Sequence, residues 1–141
     1  MNATKNKAPK AIEAIFSNDK FEIFIMASNI FKIKPKLNAE LDVQDGLHIR
    51  KILIELSNNN KYAILGDGSN FFSSTTELRK LMASKEFTDL RIAFAIVTNS
   101  LASKIIGNFF IRVNKPASPT KIFADEEIAL KWLKQLTNSL Q

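Results

Sequence analysis

The sequence contains no cysteine, which removes disulfides, thiolate nucleophiles and cysteine-ligated metals from consideration. It contains a single histidine, His48, so a histidine-rich metal site cannot be assembled. Any Ser-His-Asp arrangement would rest on that one residue. No apolar run approaches the roughly 20 residues that a helix needs to cross a bilayer. The N-terminal stretch MNATKNKAPKAIEAIF is basic but lacks the apolar core, about 7–15 residues long, of a secretory signal. These absences lead to the expectation of a cytoplasmic protein with no resident metal or cofactor. Acidic residues are also in the minority, 14 against 20 basic, which gives a net charge of +6. That balance keeps an acidic partner in view: nucleic acid, an anionic membrane or an acidic protein. The lysines are scattered singly, and the aromatics are not interleaved with arginines on an exposed strand, so nucleic acid is the least favoured of the three.

What is present is a patterned chain. Hydrophobic residues make up 45% of 141, enough for one domain with a sizeable core, and 11 phenylalanines supply most of the aromatic content as core filler. The segment from Arg91 to Leu133 carries the clearest signal. Arg91–Thr98 is an apolar run of strand length. From Thr98 onwards the period changes, and Ala102, Ile105, Ile106, Phe109, Phe110 and Val113 recur at helical spacing, which predicts a buried stripe. Pro116 and Pro119 end that helix. Lys121–Phe123 reads as a short strand, and Asp125-Glu126-Glu127 opens a last helix with Ala129, Trp132, Leu133, Leu136 and Leu140 on one side.

Upstream, Lys20–Ala27 and Ile30–Lys36 predict a hairpin around Ser28-Asn29. The second strand alternates apolar and lysine positions, which predicts one wet face, and Pro35 marks an edge or a strand end. Asp42 caps an expected helix over Val43–Leu56, with Ile49, Ile52, Leu53 and Leu56 inward. Lys61–Gly66 suits a central strand, and Phe71-Phe72 is expected to re-enter the core. Ser74 to Glu77 fits a capping box, so the next helix is expected over Thr75–Lys85 with Ser74 as cap. The reading is an α/β fold of order β-β-α-β-α-β-α-β-α, a mixed five-stranded sheet packed by helices. Residues 1–17 are expected to form a mobile basic arm, and residues 18–141 a single domain.

Two further groups of residues are candidate sites. Asp67, Ser69, Thr98, Asn99 and Ser100 follow the carboxyl ends of two apolar strands, the edge where α/β sheets bind ligands. The plainer reading there is turn and cap chemistry. Lys104, Asn108, Arg112 and Lys115 form a basic ridge that suits phosphate or carboxylate groups, unless it is only a solvated helix face. His48 reads as a surface or boundary residue. No paired carboxylates, nucleophile–base pair or metal cluster can be assembled, so an enzyme ranks last.

The run LASKIIGNFFIRVNKPASPTKIFADEEIALKWL resembles a branch of the STAS/SpoIIAA-like superfamily. The resemblance rests on I-G-N-F-F, N-K-P, P-T-x-x-F, an acidic helix start and A-L-x-W-L, and it extends over about Phe21 to Leu136. It implies a STAS-like mixed sheet with helices, related in shape to the CRAL-TRIO lipid-transfer domain, and a non-enzymatic switch as the role. Members that act as anti-anti-sigma factors expose a phosphorylatable serine at the helix after the central strand. The matching segment here is Asp67–Glu77, where FFSSTTEL replaces the usual D-S-S-G pattern. Ser73, Ser74 and Thr75 are therefore the candidate switch or cap hydroxyls. Ala124 stands where the branch usually carries a capping hydroxyl, so Asp125 is expected to cap the last helix. The leading expectation is a regulatory domain that binds a protein partner, with homo-oligomerisation left open. The alternative is a small-ligand or lipid-surface module that joins an apolar crevice to the basic ridge facing an anionic head group.

Overall fold

Apolar alternation places Phe21–Ala27 (β2) and Ile30–Pro35 (β3) in an antiparallel hairpin in the computed structural model, which describes residues 13–139. Asn29 closes the turn at φ 59°, a left-handed conformation that asparagine tolerates. Tyr62–Asp67 (β5), Arg91–Val97 (β7) and Thr120–Phe123 (β8) then add in parallel beyond β3. All five expected strands form. A sixth, Phe16–Ser17 (β1), pairs with β2 on the outer edge, giving the order β1-β2-β3-β5-β7-β8. The Phe16 ring stacks on Phe21 at 5.7 Å, which ties this segment to the core. The end of the expected arm thus belongs to the sheet. The rest of that arm, residues 1–12, lies outside the described residues.

Pro35 is the last residue of β3, where its missing N–H costs the ladder little. The wet face expected for β3 is largely covered. Lys32 sits over the Phe24 ring and bonds Glu126 Oε1 at 3.2 Å, with Asp67 Oδ2 at 3.8 Å. A separate two-residue parallel ladder joins Glu40–Leu41 (β4) to Ser73–Ser74 (β6).

The helices cover both sheet faces. Val43–Leu56 (α1) is capped by Asp42, as its sequence predicts, and Asp45 completes a reciprocal capping box. Its Leu53 joins Leu78 of Thr76–Ala83 (α2) in a cluster with Phe21, Ile23, Phe31 and Tyr62. Gly46 lets the two helices meet, because a Cβ there would overlap Leu78 Cδ1. On the opposite face Glu126–Ser139 (α4) sets Ala129 and Leu133 against Ile30, Ala63, Leu65, Ala93 and Ala95. Three sheet alanines give that helix a close seat. Full burial of one leucine such as Leu53 or Leu133 is worth about 1.5–3 kcal/mol. Asp125 caps α4 as expected, its Oδ1 accepting from the Glu127 amide at 2.7 Å.

Leu101–Phe109 (α3) runs into a π-helical turn, Phe110–Asn114, on the same face as α1 and α2. Here the expected stripe is overturned. Only Gly107 and Phe110 are buried, while Ile105 is 60% exposed and Phe109 51%. The helix touches the sheet through Gly107, where a Cβ would stand 2.9 Å from Ile122 Cδ1. That contact turns the larger residues outward, and the π turn rotates Phe110 inward in their place. Ile105 and Phe109, expected in the buried stripe, stay outside the core. Trp132 packs on Phe123 at 5.4 Å on the α4 side. Phe71, expected in the core, is 63% exposed, and only Phe72 packs against the core cluster.

Candidate functional site

α3 meets the sheet closely at Gly107, against Ile122, and stands apart from the α1–α2 pair. A cleft of about 240 Å³ opens there on the sheet. Its floor includes Ile33, Ile64, Phe94 and Ile96, and its walls include Leu78, Met82, Ile106 and Phe110. Such a cleft is mostly apolar with few polar groups, as small-molecule sites commonly are.

One of those polar groups is placed by an irregularity of the sheet. Between Tyr62 and Ile64 the paired strand β7 advances from Arg91 to Phe94, one residue more than β5. This bulge breaks the alternation that puts Ala93 and Ala95 under α4, and it returns Arg91 to the cleft side. The guanidinium lies over the Phe94 ring at 5.1 Å. Its Nε donates to Ser118 Oγ at 2.8 Å and its Nη2 to the Met82 carbonyl at 2.9 Å. No carboxylate pairs with it among the described residues. Burial pushes it down to about 10, so it stays charged at neutral pH. Tyr62, its register partner, is pushed up by burial. Nearby Arg50 bonds Asp89 at 2.9 Å and the Phe87 carbonyl at 3.0 Å.

The hydroxyl candidates separate. Thr75, not Ser74, caps α2: its Oγ1 accepts from the Leu78 amide at 3.1 Å. Ser74 is held in β6 against Leu41, and its Oγ accepts from Arg79 Nη1 at 3.0 Å. The ladder with β4 fixes the Ser74 backbone as extended strand and moves the cap one residue along. Ser73 is exposed beside it.

The carboxyl-edge candidates do come together. Ser69, Thr98, Asn99 and Ser100 line a shallow pocket of about 230 Å³ with Gly68 and Val97. Several of their polar atoms are engaged within the chain. Asp67 Oδ1 accepts from the Ser69 amide at 2.9 Å, Thr98 Oγ1 from the Ser100 amide at 3.1 Å, and Ser100 Oγ caps α3 through the Ser103 amide at 3.3 Å. The ridge residues Asn108, Arg112 and Lys115 are exposed and Lys104 is half-buried, along the flank of α3 and its π turn. His48 is exposed, edge-on to Phe16 at 5.2 Å. Among the described residues there is no group of three potential metal ligands, and no helix is long and apolar enough to cross a membrane.

Sequence reasoning missed Arg91 and Tyr62. The one available signal was an arginine heading an otherwise apolar strand. The bulge that aims it has no mark in composition or periodicity.

Comparison with known proteins returns one family and a small set of structures. The family described as "Domain of unknown function (DUF7793)" matches residues 24–137. No curated protein matches. An uncharacterised protein of the DUF3478 family from Shewanella loihica PV-4, with a SpoIIAA-like fold, is similar at 17% identity and TM-score 0.56, over 87% of this chain and 92% of its own. The phosphorylated form of the Bacillus cell fate determinant SpoIIAA is similar at 17% identity and TM-score 0.43, over 79% of this chain and 97% of its own.

Proposed function

The chain belongs to the DUF7793 family and has a SpoIIAA-like fold, and from that premise we propose that it is a non-enzymatic interaction domain that docks a partner protein on the outward face of α3. The observation that carries this reading is the exposure of Leu101, Ile105, Ile106, Phe109 and Val113 along one helix and its π turn. Apolar side chains spaced three and four residues apart on an unpartnered helix are the pattern of a helix laid into a groove. Large apolar patches of this kind on a soluble domain mark contact sites. Lys104, Arg112 and Lys115 flank the patch, and no acidic residue lies between Leu101 and Asn114. The matching partner surface is an apolar groove with an acidic rim.

The test is a paired affinity purification from the source cells with wild type and an Ile105→Asp/Phe109→Asp variant. Proteins retained by the wild type and lost by a folded double variant support the reading. Identical retained sets contradict it. A second reading, a small-ligand module, is favoured by the apolar cleft behind α3.

A further inference from the structure

The cleft lining holds two deeply buried polar side chains, Arg91 and Tyr62. Arg91 is 6% exposed and Tyr62 is 2% exposed. Two of the three guanidinium nitrogens of Arg91 are satisfied by Ser118 and Met82. The third, Nη1, makes no hydrogen bond with any described residue, and neither does Tyr62 Oη. Yet neither belongs to the fully sealed polar atoms without a partner, of which Asn114 Oδ1 is the sole case among the described residues. Both atoms therefore keep some accessible surface, and both residues line the cleft. The two residues are neighbours across the β5–β7 ladder, with side chains on the same face.

A buried cation without a counter-charge is unfavourable, and an anion brought beside it relieves the penalty. No carboxylate among the described residues pairs with Arg91; Asp67, which also lines the cleft, lies 3.8 Å from Lys32 Nζ. Asp89 is exposed and pairs with Arg50 at 2.9 Å. With Arg50 thus neutralised, Arg91 is the one buried cation of the lining without a carboxylate among the described residues. Arg79, also on the lining, is half-buried and bonds Ser74 and Thr76. Ile33, Ile64, Leu78, Ile96 and Phe110 make a continuous apolar stretch. One positive charge, two idle donors and a long apolar trough define an occupant with one negative charge, a small head that accepts hydrogen bonds, and a hydrocarbon body.

We propose that the cleft binds a single-tailed apolar carboxylate of the fatty-acid class, its tail along the sheet and its head between Arg91 Nη1 and Tyr62 Oη. This rests on the second reading above and assigns its ligand class and head-group site. The guanidinium supplies charge and direction, and the phenol supplies a second donor to the same carboxylate. The bulge at Ile92–Ala93 is then the device that turns an arginine into the trough.

The test uses the full chain, stripped of bound lipid, titrated calorimetrically with dodecanoate and with 1-dodecanol, which has the same tail and a neutral head. The proposal expects one dodecanoate per chain and affinity for the alcohol at least tenfold weaker. Tyr62→Phe removes a hydroxyl that no described residue bonds, so the fold should persist. It should weaken dodecanoate binding at least threefold, and Arg91→Met at least tenfold. Equal affinity for acid and alcohol overturns the head-group site while leaving the cleft a ligand site. No binding of either probe overturns both. Dodecanoate affinity unchanged in Tyr62→Phe and Arg91→Met places the head elsewhere and also overturns the assignment.

Discussion

Ser74 and Thr75 are adjacent hydroxyls with different physical roles. Thr75 accepts an amide hydrogen bond at the start of α2, whereas Ser74 faces the Arg79 guanidinium. Thr75→Ala should therefore cost about 0.5–2 kcal/mol in urea unfolding. Ser74→Ala should change stability by no more than about 0.5 kcal/mol, because its bond is partly solvated and replaceable. Equal losses would restore the cap to Ser74. Asp45 offers a pH-dependent counterpart. Burial pushes its carboxyl up, but the Lys20 ammonium at 2.8 Å and the Asp42 amide outweigh this and hold it below the usual carboxylate range. A depressed carboxyl binds its proton more readily in the unfolded chain. It therefore stabilises the fold above the unfolded value of about 4, and the contribution is lost as pH falls through the folded value. Asp45→Asn keeps an acceptor for the Asp42 amide and removes the titration. The stability difference between wild type and Asp45→Asn should shrink as pH drops from 6 to 3, read from urea midpoints. A constant difference would show that the ion pair contributes nothing.

At the scale of elements, α3 is where sequence and structure part. Its apolar stripe was legible, as were its start and end, but not the side it turns to the protein. Periodicity reports that a face is apolar and not what covers it. Gly107 decides the matter: it seats the helix on Ile122, and the π turn then selects Phe110 over Phe109 for burial. Phe110→Ala should cost about 3–5 kcal/mol, and Phe109→Ala less than about 1 kcal/mol. The reverse order would mean that the stripe lies inward after all. The other elements were more legible because local chemistry fixed them: the Asp42 cap, the Asp125 cap, the Ser28-Asn29 turn and the apolar strands from Tyr62 and Arg91. What escaped depended on contacts distant in sequence. The β4–β6 ladder displaced the α2 cap, pairing of Phe16 with Ile23 added an edge strand, and the β7 bulge redirected Arg91.

At the scale of the molecule, the two sheet faces are used differently. The α4 face is closed on alanines and leucines, with Lys32 bridging Glu126 and Asp67 at its rim. The opposite face is sealed only where α1 and α2 meet, and beneath α3 it stays open as the cleft. A fold of this kind has spare apolar surface in two places, the trough behind α3 and the ridge in front of it. Spending apolar surface on a partner instead of on the core lowers the stability of the free domain, so the ridge should matter little to folding. Urea unfolding of Ile105→Asp/Phe109→Asp against wild type tests this most directly. The account predicts the same m-value and a stability within about 1 kcal/mol of wild type, as for surface sites. A loss of about 4 kcal/mol or more, the signature of charge forced into a core, would contradict it.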